Sequence, residues 1–582
     1  MQIRKNNQAV EQQMRERGDA AGHLSWILVV LYALSLIPLL LIAGYDYPSA
    51  DDYSMGLGTR LVFEQTGSVL AVLGKIVTET IRYYRTWIGY YTSCLFTTVS
   101  PSTFGDGWYW LAPVIVLTGL HIGVISFLYA LMEKALGMSR SVRRCMTVLV
   151  LFLMVQLMPE GSLRVEAFYW YSGAGNYTLT FAVGLLYLAC LILCIYGGRD
   201  AKHAKNGWII CYVLACIFGL LAGGGNYLSA LSYAILSVLF LVVLFLVCSG
   251  RIGIFFAADD VQRAERKTSN FLMLVRTESS ISFENITAGH ALRCGVWKPY
   301  LALPALLQLA GFAASCMAPG NRIRGGEATG YGAVKAILLS LYYTLSYPLN
   351  QWMNWAVLLI AAAAGVVFWI EFCKENRSED NGKNRRRLTY RYPLLALVFA
   401  YGLVSAVVTP ALYAQGNMDA GRIQSTFWLH WVLILIILEW YLVGWLYWHV
   451  RSAGALRETL TGEKFGNGIA SGSCKRTLAC MAALFIVFSA LTVKANPRFY
   501  TAASALTDLI NGSAAQYGKE SRDRLAVLQD DSITDAELPL HTVQPELLFY
   551  LDLSTDPGDW ANVRLSEYFH KNSVRGVNAA EE

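Results

Sequence analysis

With 582 residues, of which 55% are hydrophobic and only 15% charged, and a mean hydropathy of +0.40, the chain is too apolar for a water-soluble globular protein, where about a quarter of residues carry charge. The net charge of +6 is spread over the loops between apolar runs and not gathered into one patch, which excludes nucleic-acid binding as its explanation. The twelve cysteines fall mostly in apolar runs or basic loops and none follows Val493, which argues against a disulfide scaffold.

About 20 apolar residues are needed for one helical crossing of a bilayer. Polar residues 1–23 precede a first such run, 24–43, which is too long and too poor in a small-residue cleavage site for a removable leader, so it reads as a retained span. Directly behind it, YDYPSADDYSMG (45–56) sets two adjacent carboxylates, Asp51 and Asp52, at the mouth of the span. Residues 61–99 and 333–350 are apolar but carry Glu64, Lys75, Glu79, Arg82, Arg85 and Lys335, which predicts interfacial or partly re-entrant helices on the outer face. Ten further spans are predicted at 108–132, 145–159, 178–196, 208–223, 230–249, 299–318, 351–372, 392–412, 426–449 and 477–494. The cytoplasmic connector 250–299, with its ADDVQRAERK stretch, reads as solvated and amphipathic.

With the N terminus inside, most Lys and Arg fall on cytoplasmic loops, and Asp51 and Asp52 lie outside. The expected fold class is an all-α integral membrane protein with about eleven transmembrane helices, outer amphipathic helices and a small extracytoplasmic C-terminal region. Residues 1–23 are then cytoplasmic, 24–494 form the membrane domain and 495–582 an outer cap near the acidic pair.

Three outer loops carry chemistry. The third span is short, which leaves Glu160 at or below the outer interface, an expensive place for a carboxylate. The following PEGSLRVEAFYWYSGAGNY (159–177) sets Glu160, Arg164 and Glu166 beside Phe168, Tyr169, Trp170 and Tyr171, and ends on Asn176. Carboxylates beside ring faces suit carbohydrate, the acid or base handling hydroxyls and the ring covering the apolar face of a pyranose; an interfacial aromatic belt with a local Glu–Arg pair explains the same residues. CMAPGNRIRGG (316–326) offers Asn321, Arg322 and Arg324, and AQGNMDAGRIQ (414–424) offers Asn417, Asp419 and Arg422. Arginine forks fit phosphate oxygens, and they also anchor span ends. Gly-Asn recurs at Asn176, Asn226, Asn321 and Asn417 but also at the cytoplasmic Asn467, so it reads as turn chemistry. No soluble-enzyme motif competes. Mid-span ionisable residues, the mark of an ion pathway, are few: His121, His430 and Glu439.

A first span followed at once by an outer acidic pair, outer amphipathic helices containing RYYRTWIGYY (82–91), many further spans and an outer C-terminal region together resemble the C-type (GT-C) superfamily of polytopic glycosyltransferases. More narrowly, DDYSMG, EAFYWYSGAGNY and APGNRIR resemble a bacterial membrane-protein family related to that superfamily. The resemblance implies a plasma (inner) membrane enzyme that takes a sugar from a polyprenyl-phosphate donor. It would pass that sugar, with inversion, to an extracytoplasmic glycan acceptor of the cell envelope. It further implies that Asp51 or Asp52 is the general base, that Arg322 and Arg422 hold the donor phosphate, and that the acidic pair could take Mg²⁺ or Mn²⁺. RTWIGYY departs from the pattern by lacking a basic residue where relatives contact the donor. Membrane lipid is an expected partner and nucleic acid is not. Two other readings stay open: a lipid-linked saccharide flippase or polysaccharide exporter, in which the aspartates gate a path lined by the same arginines, and a non-catalytic scaffold for envelope assembly. An enzyme gathers its charges in one outer vestibule, whereas a translocator continues a polar path inward; the inner halves of these spans are mostly apolar, which favours the enzyme.

Overall fold

The computed structural model describes residues 22–196, 204–249, 252–253, 268–276, 281–288, 298–325, 330–379, 390, 392–461 and 471–578. Among them, nine helices are long and apolar enough to cross a membrane: Gly22–Tyr45, Asp106–Ala135, Tyr171–Tyr196, Tyr227–Cys248, Pro299–Cys316, Trp355–Cys373, Pro393–Gln415, Gly421–Arg451 and Arg476–Ala495. Their outward faces carry large exposed apolar side chains such as Leu31, Phe245, Leu395 and Ile486, the surface of a multi-pass membrane protein and not of a soluble one.

Two predicted spans are helical but are not among these nine. The 145–159 run is a 12-residue helix, Arg140–Leu151, that ends in a five-residue π turn, Phe152–Gln156; Arg140, Arg143 and Arg144 polarise its first turns. The 208–223 run is the short apolar helix Gly207–Gly223. It packs against Thr180–Tyr196 and Ala302–Cys316 across a small-residue seam. A Cβ on Gly219 would stand 2.6 Å from the Pro304 carbonyl oxygen, and one on Gly223 2.3 Å from that of Gln308. Such Gly-xxx-Gly spacing lets two backbones meet where no side chain fits.

The two charged apolar stretches lie as amphipathic helices. Val69–Thr86 is capped by Ser68, whose hydroxyl accepts the Ala71 N–H. It buries Val72, Ile76 and Tyr83 and exposes Leu70, Leu73, Val77 and Ile81 as a stripe. Its one buried carboxylate, Glu79, is neutralised by Lys75 at 2.8 Å and Arg82 at 2.6 Å. Ala333–Tyr347 runs antiparallel along Pro393–Gln415. Its register is set by Tyr331 N–H to the Leu412 carbonyl, Thr409 to Ser340, Ser405 to Thr344, and Tyr401 to the Leu341 carbonyl.

Part of the 250–299 connector forms an antiparallel pair, Thr268–Arg276 with Ile281–Ala288, where no strand was expected; ADDVQRAERK lies outside the described residues. The region after Ala495 folds as helices Thr501–Ile510, Ser513–Gln529 and Trp560–Tyr568 beside a two-stranded parallel sheet, Asp535–Pro539 with Ser573–Val577. It packs on the segment that carries the acidic pair: Ser49 Oγ donates to the Leu551 carbonyl at 3.1 Å, and the Tyr53 and Tyr568 rings meet edge-on. Arg164 ties it down. This fully buried guanidinium donates to the carbonyls of Met158 (2.9 Å), Arg498 (2.6 Å) and Phe499 (2.8 Å) and faces Glu546 at 3.3 Å.

Candidate functional site

A cavity of about 1280 Å³ opens at one end of the bundle. It is lined by the first turns of the helices that start at Tyr171, Tyr227 and Gly421 and by the last turns of those that end at Cys316 and Gln415, so successive helices deliver their alternate ends to one side. Asp51, Trp170, Asn176, Asn321, Arg322, Asn417 and Arg422 all border it. Asp52, Glu160, Arg164 and Glu166 do not.

The acidic pair divides into two environments. Ala50, forced into a positive φ of 50°, turns the chain into the helix Asp51–Thr66. Asp52 points inward and is 1% exposed. Its Oδ2 accepts from Ser49 N–H (3.1 Å) and the Tyr109 hydroxyl (2.6 Å), and its Oδ1 from Ser172 N–H (2.8 Å) and the Ser172 hydroxyl (2.7 Å). Burial pushes its carboxyl up to about 6, against the pull of those donors. Asp51 faces the cavity, bonded only weakly by Ser54 Oγ at 3.3 Å. Burial raises its pKa as well, and the positive charge of Arg422, the Ser54 hydrogen bond and Arg324 oppose the rise. Among the described residues no ion pair closes between Asp51 and either guanidinium, so both act on it across open space.

Arg422 is fixed from behind. Glu166 Oε2 lies 2.9 Å from its Nη1, and the Glu166 carboxylate also accepts the N–H groups of Gly421 (3.0 Å) and Arg422 (3.1 Å). It thereby caps a 41-residue helix with charge of the favourable sign. Gly421 is required here, because a Cβ would stand 2.6 Å from the Ser162 backbone carbonyl carbon. Arg422 Nη1 also reaches the Tyr550 hydroxyl at 3.4 Å, and Tyr550 stacks on Trp170 with centroids 3.7 Å apart. Trp170 is held by its own N–H to the Ser49 carbonyl, 3.1 Å.

The resemblance implies Arg322, yet Arg324 is the arginine of this loop whose charge acts on Asp51. It donates to the Tyr90 hydroxyl at 3.4 Å and lies over the Trp87 ring at 4.8 Å, while Arg322 is exposed at the rim. The alternation of Arg322 and Arg324 about Ile323 holds this distinction, but only the helix Pro319–Gly325 decides which one turns inward. The WIGYY segment has a packing reason for its glycine. A Cβ on Gly89 would lie 1.9 Å from the Ser315 carbonyl oxygen, and the bare backbone lets Gly89 N–H donate to Asn321 Oδ1 at 2.9 Å. Asn321 also takes the Tyr227 hydroxyl (3.0 Å) and donates to the Ser315 carbonyl (2.7 Å), so its amide is spent on the wall. Asn176 accepts from Asn226 at 3.1 Å, and Asn417 accepts the Asp419 N–H at 3.2 Å. Trp87 and Tyr90 of RYYRTWIGYY and Tyr177 of EAFYWYSGAGNY also line the cavity, and Tyr550, outside every motif, joins the site through Arg422 and Trp170.

Glu160 lies away from the cavity, its Oε1 accepting from Asn496 at 2.6 Å. The acidic pair does not fit a divalent cation: Asp52 has its four acceptor positions filled while Asp51 faces elsewhere, and no cluster of three or more His, Cys, Asp or Glu occurs among the described residues. Against protein-family models, curated proteins and solved structures alike, the chain gives no match.

Proposed function

We propose that the chain is an inverting glycosyltransferase that takes a sugar from a polyprenyl-phosphate donor, with Asp51 as the general base and Arg324 and Arg422 holding the donor phosphate. The reading is carried by one observation, a weakly bonded carboxylate that faces two guanidiniums across a large cavity. A cavity of this size has room for both a phosphate sugar and an acceptor hydroxyl. Away from the charges its wall becomes apolar, with Leu228, Leu231, Phe312 and Pro410 at the ends of three helices whose outer faces are themselves apolar; that sequence of surfaces suits a phosphate head on a hydrocarbon tail.

In the reaction the acceptor oxygen bonds to the anomeric carbon as the bond from that carbon to the phosphate oxygen breaks. The bonding pair leaves with the phosphate, where the two guanidiniums stabilise it, and the acceptor proton passes to Asp51. A base raised by burial is better matched to neutral pH than an ordinary carboxylate. The arrangement favours transfer over translocation because the cavity draws on one end of the bundle only. Under this reading the chain sits in a bacterial inner membrane with the N terminus cytoplasmic and the cavity outside. The test is product formation by purified protein from a panel of polyprenyl-phosphate sugars and envelope glycan acceptors. Transfer lost in Asp51→Asn is expected, and transfer unchanged in that variant would reject the base.

A further inference from the structure

Asn176 borders the large cavity, and a relay of hydrogen bonds fixes which end of its amide faces inward. Leu228 N–H, which can only donate, meets the Asn226 side chain at 3.1 Å and so caps the helix Tyr227–Cys248; the atom it meets is therefore the Asn226 carbonyl oxygen. The Asn226 NH₂ then points the other way and donates to Asn176 at 3.1 Å, which makes its partner the Asn176 Oδ1. The main chain of Asn176 is pinned as well, its carbonyl accepting from Thr180 Oγ1 at 2.6 Å and Ser93 Oγ at 3.3 Å. The Asn176 NH₂ remains. It has no hydrogen-bond partner among the described residues and is not sealed inside the protein, so the half-buried side chain presents its N–H groups to the cavity.

The neighbours indicate what those donors meet. Tyr177, next in the chain, also lines the cavity with a hydroxyl that is open and has no partner among the described residues, and it lies within electrostatic range of both Arg324 and Arg422. Asn176 thus continues the cationic wall with a neutral donor. A guanidinium and an amide NH₂ have hydrogens to give and no lone pair to offer, so this side of the cavity matches a ligand rich in acceptor oxygens. We propose that Asn176, set by Asn226, is a specificity-determining residue that gives its N–H groups to an acceptor oxygen of the donor head group. This role rests on the glycosyltransferase reading and adds a requirement to it: the head group presents an oxygen at this position, and a protonated amine is rejected. The sugar and the phosphate both carry such an oxygen. Asn226 acts through Asn176 as a positioning residue.

The experiment is equilibrium binding by the full-length protein in detergent, titrated with polyprenyl phosphate and with its hexose and N-acetylhexosamine derivatives. Asn226→Asp keeps the cap, because a carboxylate oxygen also accepts Leu228 N–H. Its second oxygen can only accept, so the Asn176 amide turns its NH₂ toward it and shows its carbonyl to the cavity. Affinity should fall about 10- to 100-fold, since an acceptor then faces an acceptor, with the Tm close to that of the wild type. Asn176→Ala leaves the ligand oxygen to water and should cost less, about fivefold. Loss confined to the sugar-bearing lipids assigns the oxygen to the sugar, and equal loss with bare polyprenyl phosphate assigns it to the phosphate. Wild-type affinity in both variants, or a larger loss in Asn176→Ala than in Asn226→Asp, would overturn the role of Asn176 and leave the glycosyltransferase reading in place. No binding of any of these lipids to folded wild-type protein would overturn that reading and this role together.

Discussion

Glu166 accepts the first two N–H groups of the helix that begins at Gly421 and holds Arg422 Nη1 at 2.9 Å, so one carboxylate sets both where that helix starts and where its cation points. The Arg422 contacts within the described residues use Nη1, which leaves the rest of the fork for a ligand.

Glu166→Gln should therefore disorder the guanidinium while keeping the side-chain volume. A displacement of about 1 Å at a reacting group costs about 100-fold in rate, so transfer should fall by about that factor with a smaller change in stability. Glu166→Ala leaves Arg422 without its partner and should also cost about 3 kcal/mol of stability, the lower end for a buried pair because Arg422 is partly exposed. Thermal unfolding in detergent and product formation measured on the same samples separate the two effects.

The two aspartates should respond in opposite ways. Asp51→Asn removes a cavity-facing charge and should unfold like the wild type while losing transfer. Asp52→Asn replaces an acceptor of four hydrogen bonds by an amide whose NH₂ must face donors, and should lose about 2–4 kcal/mol. The pH dependence has a definite sign. The Asp52 carboxyl is raised to about 6 in the folded protein, so its contribution to stability is fully present below about pH 4 and is lost as pH rises through about 6. The fall in Tm between these values should be shallower in Asp52→Asn than in the wild type; parallel curves would mean that Asp52 keeps its ordinary pKa.

Part of this was legible in the sequence, and the boundary is physical. Apolar runs near bilayer length marked most of the helices, because hydropathy is a local property. The runs at 145–159 and 208–223 are helical as well, but a π turn in the first and a Gly-lined seam in the second are features of packing that hydropathy does not report. The acidic pair was visible as a pair at a helix start, and Asn321 and Arg422 as loop residues near span ends. The division of labour between Asp51 and Asp52 was not, because it depends on Tyr109 and Ser172, which are far away in the chain. Glu166 and Arg422, 256 residues apart, look like two ligand-binding charges when read separately. Only their meeting shows one to be the support of the other. Arg164 misleads in the same way, since nothing in SLRVE shows that its fork is closed by the carbonyls of Arg498 and Phe499.

Gly89 gives a prediction about backbone approach. Gly89→Ala places a Cβ 1.9 Å from the Ser315 carbonyl oxygen, which forces the 315–321 turn away from Trp87 and Tyr90. The overpacking should cost about 1–3 kcal/mol, and the shift should move Arg324 from its place over Trp87. Donor affinity should weaken more than the maximal rate falls, since the acceptor side is untouched. A wild-type Michaelis constant for the donor would show that Arg324 holds its position without this contact.

Arg164 tests how the C-terminal region is held. Its guanidinium satisfies three backbone carbonyls and faces Glu546, whose Oε2 also accepts from Ser504 at 2.5 Å. Arg164→Met removes every donor at once and leaves three buried carbonyls without a donor, while Glu546 keeps Ser504, Gly161 N–H and the more distant Arg498; the loss should cost about 3–5 kcal/mol. Arg164→Lys should recover only part, because an ammonium cannot span the same set of acceptors as a planar fork. The loss should appear first as local opening: the bond from residue 498 to the rest of the fold weakens, and limited proteolysis should release a fragment beginning near residue 495 while the membrane helices stay intact. The Tyr550–Trp170 stack then loses one partner, and transfer should decline with the fraction opened. Protease resistance equal to that of the wild type in Arg164→Met would place the anchor of the region elsewhere, in the Arg498–Asp508 pair at 2.6 Å or in the packing of Thr501–Ile510 on the first span.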